Sequence, residues 1–346
     1  MTAGVRLPAE WERHEATWLA WPHHSDDWPG KFRAIGFVMA EIVRNLARSE
    51  RVRLLVRDEK QQVTVRRALA DVEADLSQVE YMTTPTDRAW TRDYMPFFVK
   101  TADGGTLALK FGFTGWAKYD NFAQDEVAGF HAPSAIGVPV EQVTWRGRSV
   151  VLEGGGVDCN GCGDALVTEE FLLHPTIQVR NPGMNRGDYE AMFADILGVS
   201  NVIWLGRGIV GDDTHGHIDD LCRFVSRDTV VLCSESREDD ANYTALQENR
   251  ERLEGARLAD GTRVSVIALP MPRPVVFRKT RLPASYANFL IGNSVVLVPT
   301  FNDPADRQAL GILAELFPSR DIIGIHATDL VWGFGTIHCL SHEQVA

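Results

Sequence analysis

Four segments of this chain read as β-hairpins, and their turns fall near residues 104, 161, 227 and 292, 57 to 66 residues apart. The segments are MPFFVKTADGGTLALKFGF, VVLEGGGVDCNGCGDALVTEEFLL, DDLCRFVSRDTVVLCSES and YANFLIGNSVVLVPTFN. Each has two strand-like runs around turn-forming residues. A helix-then-strand pattern lies between them, in YEAMFADILGVSNVIWL, NYTALQENRERLEGARLADGTRVSVIAL and DPADRQALGILAELFPSRDIIGI, with a weaker version near 121–145. The N-terminal FRAIGFVMAEIVRNLARSERVRLLV has the same order: Ile35, Val38, Met39, Ile42, Val43 and Leu46 fall at helical spacing ahead of VRLLV. A strand-and-helix unit repeated about five times predicts an α/β fold closed into a radial array rather than a single open sheet. The last unit is short of strands, and ATWLAWP near the N-terminus can complete it beside GTIHCL, which removes open edges. No Pro/Ser-rich linker, charge run or low-complexity tract interrupts the pattern, so residues 1–346 are expected to form one domain.

This plan has a chemical consequence, because equivalent strand ends of a radial array converge on one central pocket. Polar residues gather where the hairpins begin, in WTRDY (90–94), LEGGG (152–156), THGHIDD (214–220) and SYANF (285–289), and GTIHC (335–339) ends the last unit. Residues scattered over some 250 positions can therefore meet.

Composition narrows the class of partner. With 35 Lys+Arg against 47 Asp+Glu the formal net charge is −12. That balance argues against nucleic acid or an anionic membrane and is compatible with a cationic small molecule. No apolar run reaches the length of a membrane span, and the start MTAGVRLPAEWERHEATW lacks the basic-then-apolar order of a signal peptide. Five cysteines, at 159, 162, 222, 233 and 339, are scattered through a long chain, which favours reduced thiols and a cytoplasmic location. Self-association into a homo-oligomer is compatible with all of this.

The densest cluster is GDDTHGHIDD (211–220). His-x-His-x-Asp is a metal-binding spacing, which makes His215, His217 and Asp219 candidate ligands of a metallohydrolase. The zinc-hydrolase pattern needs a further histidine where Asp220 stands, and the next histidines are only His326, His338 and His342. A His217–Asp219 pair, alternating along one strand end, can instead transfer protons and bind a cation without metal. We expect no metal. Cys159 and Cys162 form a lone C-x-x-C in a Gly-rich turn, which is weak evidence for zinc. GRGIVG (206–211) matches a dinucleotide fingerprint, but Asp212 and Asp213 follow it and would repel phosphate. No G-x-S-x-G nucleophile elbow is present.

Asp93 and Glu153 stand at hairpin starts, and each has a structural alternative: a pair with Arg92 for Asp93, a backbone cap for Glu153. Cys339 lies in WGFGTIHCLSHE, where Gly-x-Gly lets the backbone approach a pocket and His338 flanks the thiol. A buried cysteine in a final strand is the plainer alternative. Cys222 and Cys233, inside apolar strand patterns, read as core.

Taken together, EWERHEATWLAWP, WTRDYMP, EGGGVDCNGCGDALVTEE, GDDTHGHIDD, SYANFLIGNSVVLVPTFNDP and GFGTIHCLS resemble the agmatine deiminase family, grouped with the Porphyromonas-type peptidylarginine deiminases. The resemblance covers essentially the whole chain. It implies the five-bladed α/β-propeller, or pentein, fold and hydrolysis of agmatine to N-carbamoylputrescine and ammonia. In the family the nucleophile is the C-terminal cysteine, which falls on Cys339, and the histidine of Gly-His-x-Asp falls on His217. Asp219 and Asp93 match the carboxylates that grip the guanidinium, and Glu153 matches the acid that supports the histidine. The resemblance implies a small cationic guanidino substrate and neither metal nor organic cofactor. Trp90, beside the substrate-binding motif, packs on the alkyl chain or belongs to the core.

Some positions depart from the family pattern. Met95 stands where glycine is usual, and the terminal motif reads Gly-Phe-Gly-Thr before Ile-His-Cys, where three glycines and Asn are typical. These changes leave arginine, a methylated arginine or a peptidyl arginine as alternative substrates. The metallohydrolase, and a catalytically silent binding protein on the same propeller, are more distant alternatives.

Overall fold

The structure is a computed structural model, and it describes residues 4–346. Four times the chain runs through an antiparallel hairpin, a helix, and a strand that returns parallel to the hairpin's second strand. Phe97–Lys100 and Thr106–Lys110 form the first hairpin, and Val140–Gln142 returns after the helix Ala123–Ala135. Asp158–Cys159 with Asp164–Thr168, the helix Arg186–Leu197 and the strand Asn201–Leu205 form the second unit. Cys222–Phe224, Thr229–Ser234, Tyr243–Glu254 and Ser265–Pro270 form the third. Leu290–Ile291, Val295–Thr300, Ala305–Leu316 and Asp321–His326 form the fourth.

The fifth sheet joins the two ends of the chain. Its antiparallel pair is Ser341–Val345 against His14–Ala20, and Arg51–Val56 and Val79–Thr83 follow in parallel after the helices Phe32–Leu46 and Glu59–Asp71. The N-terminal strand therefore does complete the last unit, but its partner begins after GTIHC. Residues 337–340 form a turn, which puts Cys339 ahead of the final strand instead of inside it. Phe334 has a left-handed φ of 64°, and a Cβ on Gly335 would stand 2.8 Å from the Trp90 ring and 3.2 Å from Cys339 Sγ. The chain there must bend around the indole, so it cannot extend.

The helix Phe32–Leu46 buries Ile35, Val38, Met39, Ile42, Val43 and Leu46, the stripe its sequence spacing predicts. Each such side chain contributes about 1.5–3 kcal/mol by leaving water. Arg186–Leu197 starts at a capping box between Asn185 and Asp188 and stops at Gly198, whose φ is 68°. These outer elements hold the hairpin starts in place, and the hairpin starts carry the chemistry. Among the described residues no helix is long and apolar enough to cross a membrane.

Candidate active site

Asp93 lies in the short helical turn Thr91–Tyr94, immediately before the first hairpin. It is buried and does not pair with Arg92, which reaches Glu343 at 2.6 Å. Asp93 Oδ2 accepts from Trp116 Nε1 at 2.8 Å, and Oδ1 accepts from the Gly155 N–H at 3.0 Å. Gly155 belongs to the three-glycine turn after Glu153. A Cβ there would lie 2.5 Å from His217 Nδ1, 3.0 Å from Asp93 Oδ1 and 3.1 Å from Asp219 Oδ2. Only glycine lets three polar side chains from two other hairpin starts close on one point.

Glu153 is fully buried and caps no backbone group. Both its oxygens accept from Arg180 Nε, at 3.1 and 3.2 Å, and Arg180 also donates to the Gln178 and Thr214 carbonyls. The ring of His217 sits between two acids, with Nδ1 3.7 Å from Asp93 and Nε2 3.8 Å from Glu153, edge-on to Phe171. Burial alone would depress its pKa, but the Asp93, Glu153 and Asp219 carboxylates outweigh that and lift it to about 9. Burial lifts Asp93 to about 6, with Asp219 and Glu153 adding to the rise and His217 opposing it. Glu153 is buried too, yet Arg180 and His217 hold it below the usual carboxylate range.

His217 and Asp219 do not alternate along a strand. His217 precedes the 3-10 turn Ile218–Asp220, because the loop before it wraps around Asp212. Asp212 Oδ2 accepts from the N–H groups of Gly216 and His217, and Oδ1 accepts from Thr214. His215 is turned elsewhere: its φ is 67°, its Nδ1 lies 3.4 Å from Glu170, and its ring packs on His174. The His-x-His-x-Asp spacing therefore does not converge on one point.

Asp219 Oδ2 faces His338 Nδ1 at 2.8 Å and lies 3.6 Å from Cys339 Sγ, which can donate to it. His338 Nε2 faces Glu10 at 2.9 Å, and Glu10 and Asp158 both pair with the buried Arg223. Asn288, from SYANF, donates to Cys339 Sγ at 3.1 Å, and its Oδ1 accepts from Thr336 and from the His338 N–H. Burial and the carboxyl groups of Asp219, Asp220 and Asp93 push the Cys339 thiol well above its usual range, so without a cation beside it the sulfur keeps its proton.

A cavity of about 310 Å³ opens above this floor. Cys339 and Asp93 lie at its base, Trp90 and Trp116 on its walls, and Phe277 stacked at 3.7 Å on Trp332 nearer its mouth. Trp90 answers to both sequence readings, because it borders the cavity and also packs on Trp28 at 5.4 Å. The five residues singled out from sequence, Asp93, Glu153, His217, Asp219 and Cys339, thus form one buried cluster. Arg180, Asn288, Trp116 and His338 support it and were not assigned from sequence. GRGIVG opens no helix, Cys222 and Cys233 are buried in strands, and all five cysteines are free.

A profile of the Porphyromonas-type peptidyl-arginine deiminase family matches residues 6–344. Agmatine deiminase from Pseudomonas aeruginosa (strain LESB58) is 30% identical over 99% of this chain and 96% of its own. The structure of Enterococcus faecalis agmatine deiminase is 27% identical and superposes with a TM-score of 0.89, covering 99% of this chain and 96% of that one. An amidinotransferase from Microseira wollei, 10% identical with a TM-score of 0.53 over 99% of this chain and 97% of its own, shares the mixed α/β fold alone. The match along 6–344 and the gathering of the motif residues at one cavity lead to the same conclusion: this chain belongs to the Porphyromonas-type peptidyl-arginine deiminase family.

Proposed function

We propose that this protein hydrolyses agmatine to N-carbamoylputrescine and ammonia. The observation that carries the reading is the meeting of a thiol, an imidazole and three carboxylates in one buried cluster, of which Cys339 and Asp93 line an aromatic-walled cavity, in a chain 30% identical to an agmatine deiminase. A guanidinium is planar and cationic, and Asp93 and Asp219 are suited to accept from its N–H edges with charge-assisted hydrogen bonds. The bound cation offsets the carboxylates that hold the Cys339 proton, so the thiol loses it to solvent and the sulfur attacks the guanidinium carbon. His217, protonated at neutral pH, gives its proton to the departing nitrogen. The C–N bond breaks, ammonia leaves, and an amidino-cysteine remains. Neutral His217 then takes a proton from water, which attacks the same carbon, and the C–S bond breaks to release the ureido product and the sulfur. Glu153, held ionised by Arg180, keeps the imidazole protonated and oriented. Neither metal nor organic cofactor enters these steps.

The five equivalent sheets support a five-bladed α/β-propeller of one domain, closed where the first and last strands pair. Free cysteines support a reducing, cytoplasmic location, and the acidic surface a small cationic partner. Purified protein mixed with agmatine, with products identified by mass, tests the reading. Absence of ureido product and ammonia would refute it, and full activity in Cys339→Ala would refute the mechanism. Another guanidino compound is the second reading: Arg88 and Arg278 also line the cavity, and although Arg88 is paired with Asp27, Arg278, over the Phe277 ring, suits an anionic group on an arginine-like substrate. Equal concentrations of agmatine, arginine, methylarginine and a peptidyl arginine separate these.

A further inference from the structure

The pocket floor presents more carboxyl oxygen than the protein satisfies. Asp219 and Asp220 are adjacent and buried, and Oδ1 of each accepts no hydrogen bond from any protein group. The nearby arginines are engaged elsewhere, Arg180 with Glu153 and Arg223 with Glu10 and Asp158, and the His217 imidazolium, though beside Asp219, donates no hydrogen bond to either Oδ1. One ligand atom from each of Asp219, Asp220 and Cys339 lies within 4.8 Å of the other two. Among the described residues no other set of three His, Cys, Asp or Glu side chains meets that condition. Cys339 borders the cavity, so the set can be reached from solvent.

The distances and the atoms suit one class of ion. A tetrahedral zinc site with Zn–S about 2.3 Å and Zn–O about 2.0 Å separates sulfur from oxygen by about 3.5 Å. Cys339 Sγ and Asp219 Oδ2 stand 3.6 Å apart. Two carboxylates alone would favour a hard ion such as magnesium or calcium, but a thiolate shifts the preference to zinc and its softer neighbours. This trio does not include the His215 and His217 pair that the sequence spacing singled out.

We propose that Cys339, Asp219 and Asp220 form a zinc-class site whose occupation inhibits the enzyme. The S–H bond is exchanged for a metal–sulfur bond, the proton passes to solvent, no electron is transferred, and water fills the fourth position. The metal occupies the sulfur lone pair that would attack carbon and the oxygens that would face a guanidinium. Only the inhibitory consequence rests on the deiminase reading; the binding itself does not.

The test uses wild-type protein with Zn²⁺ in equilibrium dialysis and Co²⁺ as a spectroscopic probe. One ion per chain, a thiolate-to-cobalt charge-transfer band, and slower alkylation of Cys339 in the presence of zinc are expected. Cys339→Ser should abolish the band, and Asp220→Asn should weaken zinc binding by at least ~10-fold. Cys162→Ser should alter neither. A band that survives Cys339→Ser, or disappears in Cys162→Ser, places the ion at the Cys159–Cys162 turn and overturns the proposal. So does unchanged alkylation of wild-type Cys339 under saturating zinc, a measurement that needs no variant to fold. Agmatine turnover without metal is followed on the same preparation, so its failure counts against the deiminase reading while the cobalt band still reports on the site.

Discussion

Two buried imidazoles flank Asp219, and each lies between two carboxyl groups, yet their protons are held in opposite ways. His217 stands between Asp93 and Glu153 at 3.7 and 3.8 Å, and the acids overcome the cost of burial to lift it to about 9. His338 stands closer to its acids, 2.8 Å from Asp219 and 2.9 Å from Glu10, but burial and the Arg223 and Arg92 charges push it well below the usual histidine range. The difference lies in the cations behind the acids. Arg180 pairs with Glu153, whereas Arg223 and Arg92 act on His338 itself. One side of Asp219 thus holds a proton it can give, and the other side holds Asp219 in position.

The largest effect expected from this contrast is on turnover. His217→Asn removes the proton donor and should lower kcat by roughly 10²–10⁴-fold, the usual contribution of a general acid, with a much smaller change in KM. Steady-state kinetics on agmatine measure it. A loss of similar size in His338→Asn would break the comparison. Asn can place an amide N–H where Nδ1 stood and still donate to Asp219, so that variant should stay close to wild type.

His338→Gln sharpens the same point at a smaller scale. The longer amide reaches toward Glu10 and leaves Asp219 without its donor, a loss of about 1.5–3 kcal/mol for a hydrogen bond to a charged group. If the role is to hold Asp219 against the guanidinium, KM should rise roughly 10–100-fold while thermal stability falls equally in the Asn and Gln variants. Matching KM values in the two would reduce His338 to a packing residue.

How much of this was legible follows the same division. The hairpin periodicity placed the strands, motifs at hairpin starts and at the end of the last unit made Asp93, Glu153, His217, Asp219 and Cys339 candidates, and the resemblance to a family gave each its role. The residues that tune them carry no such local mark. Arg180 sits in QVRNP, 27 positions from the Glu153 it neutralises, and Asn288 reaches the thiol from 51 positions away. Only contacts across the chain reveal them. Arg223 did leave a trace, as the one charge in the otherwise apolar run LCRFV, and it proves fully buried. The strand geometry assigned to His217 and Asp219 failed for a related reason: Asp212 gathers the loop by side-chain hydrogen bonds, which periodicity does not report.

The pH profile tests the electrostatics of the cluster directly. Asp93 is a carboxylate above about 6 and neutral below it, while His217 is protonated below about 9 and neutral above it. The competent form, with ionised Asp93 and protonated His217, therefore exists between those values. The profile of kcat/KM should be bell-shaped, falling about tenfold per pH unit outside limbs near 6 and 9 that belong to the interacting cluster. His217→Asn should lose the alkaline limb and keep the acid one. An alkaline limb that persists would mean that the Cys339 thiol, not His217, sets it.

The smallest effect should come from the histidine two positions before His217. His215 has a left-handed backbone, with φ at 67°, and its side chain touches Glu170 and His174. An L-residue in that conformation costs roughly 1–2 kcal/mol, which glycine does not incur. His215→Gly removes that strain along with a partly buried contact to Glu170, 3.4 Å long and worth about 1 kcal/mol, so the two changes largely cancel. Thermal denaturation should show a shift of a few degrees at most, and kcat/KM should stay within about threefold of wild type. A loss of activity approaching that of His217→Asn would mean that the two histidines act together. The contrast between His217 and its surroundings would then have been drawn at the wrong residue.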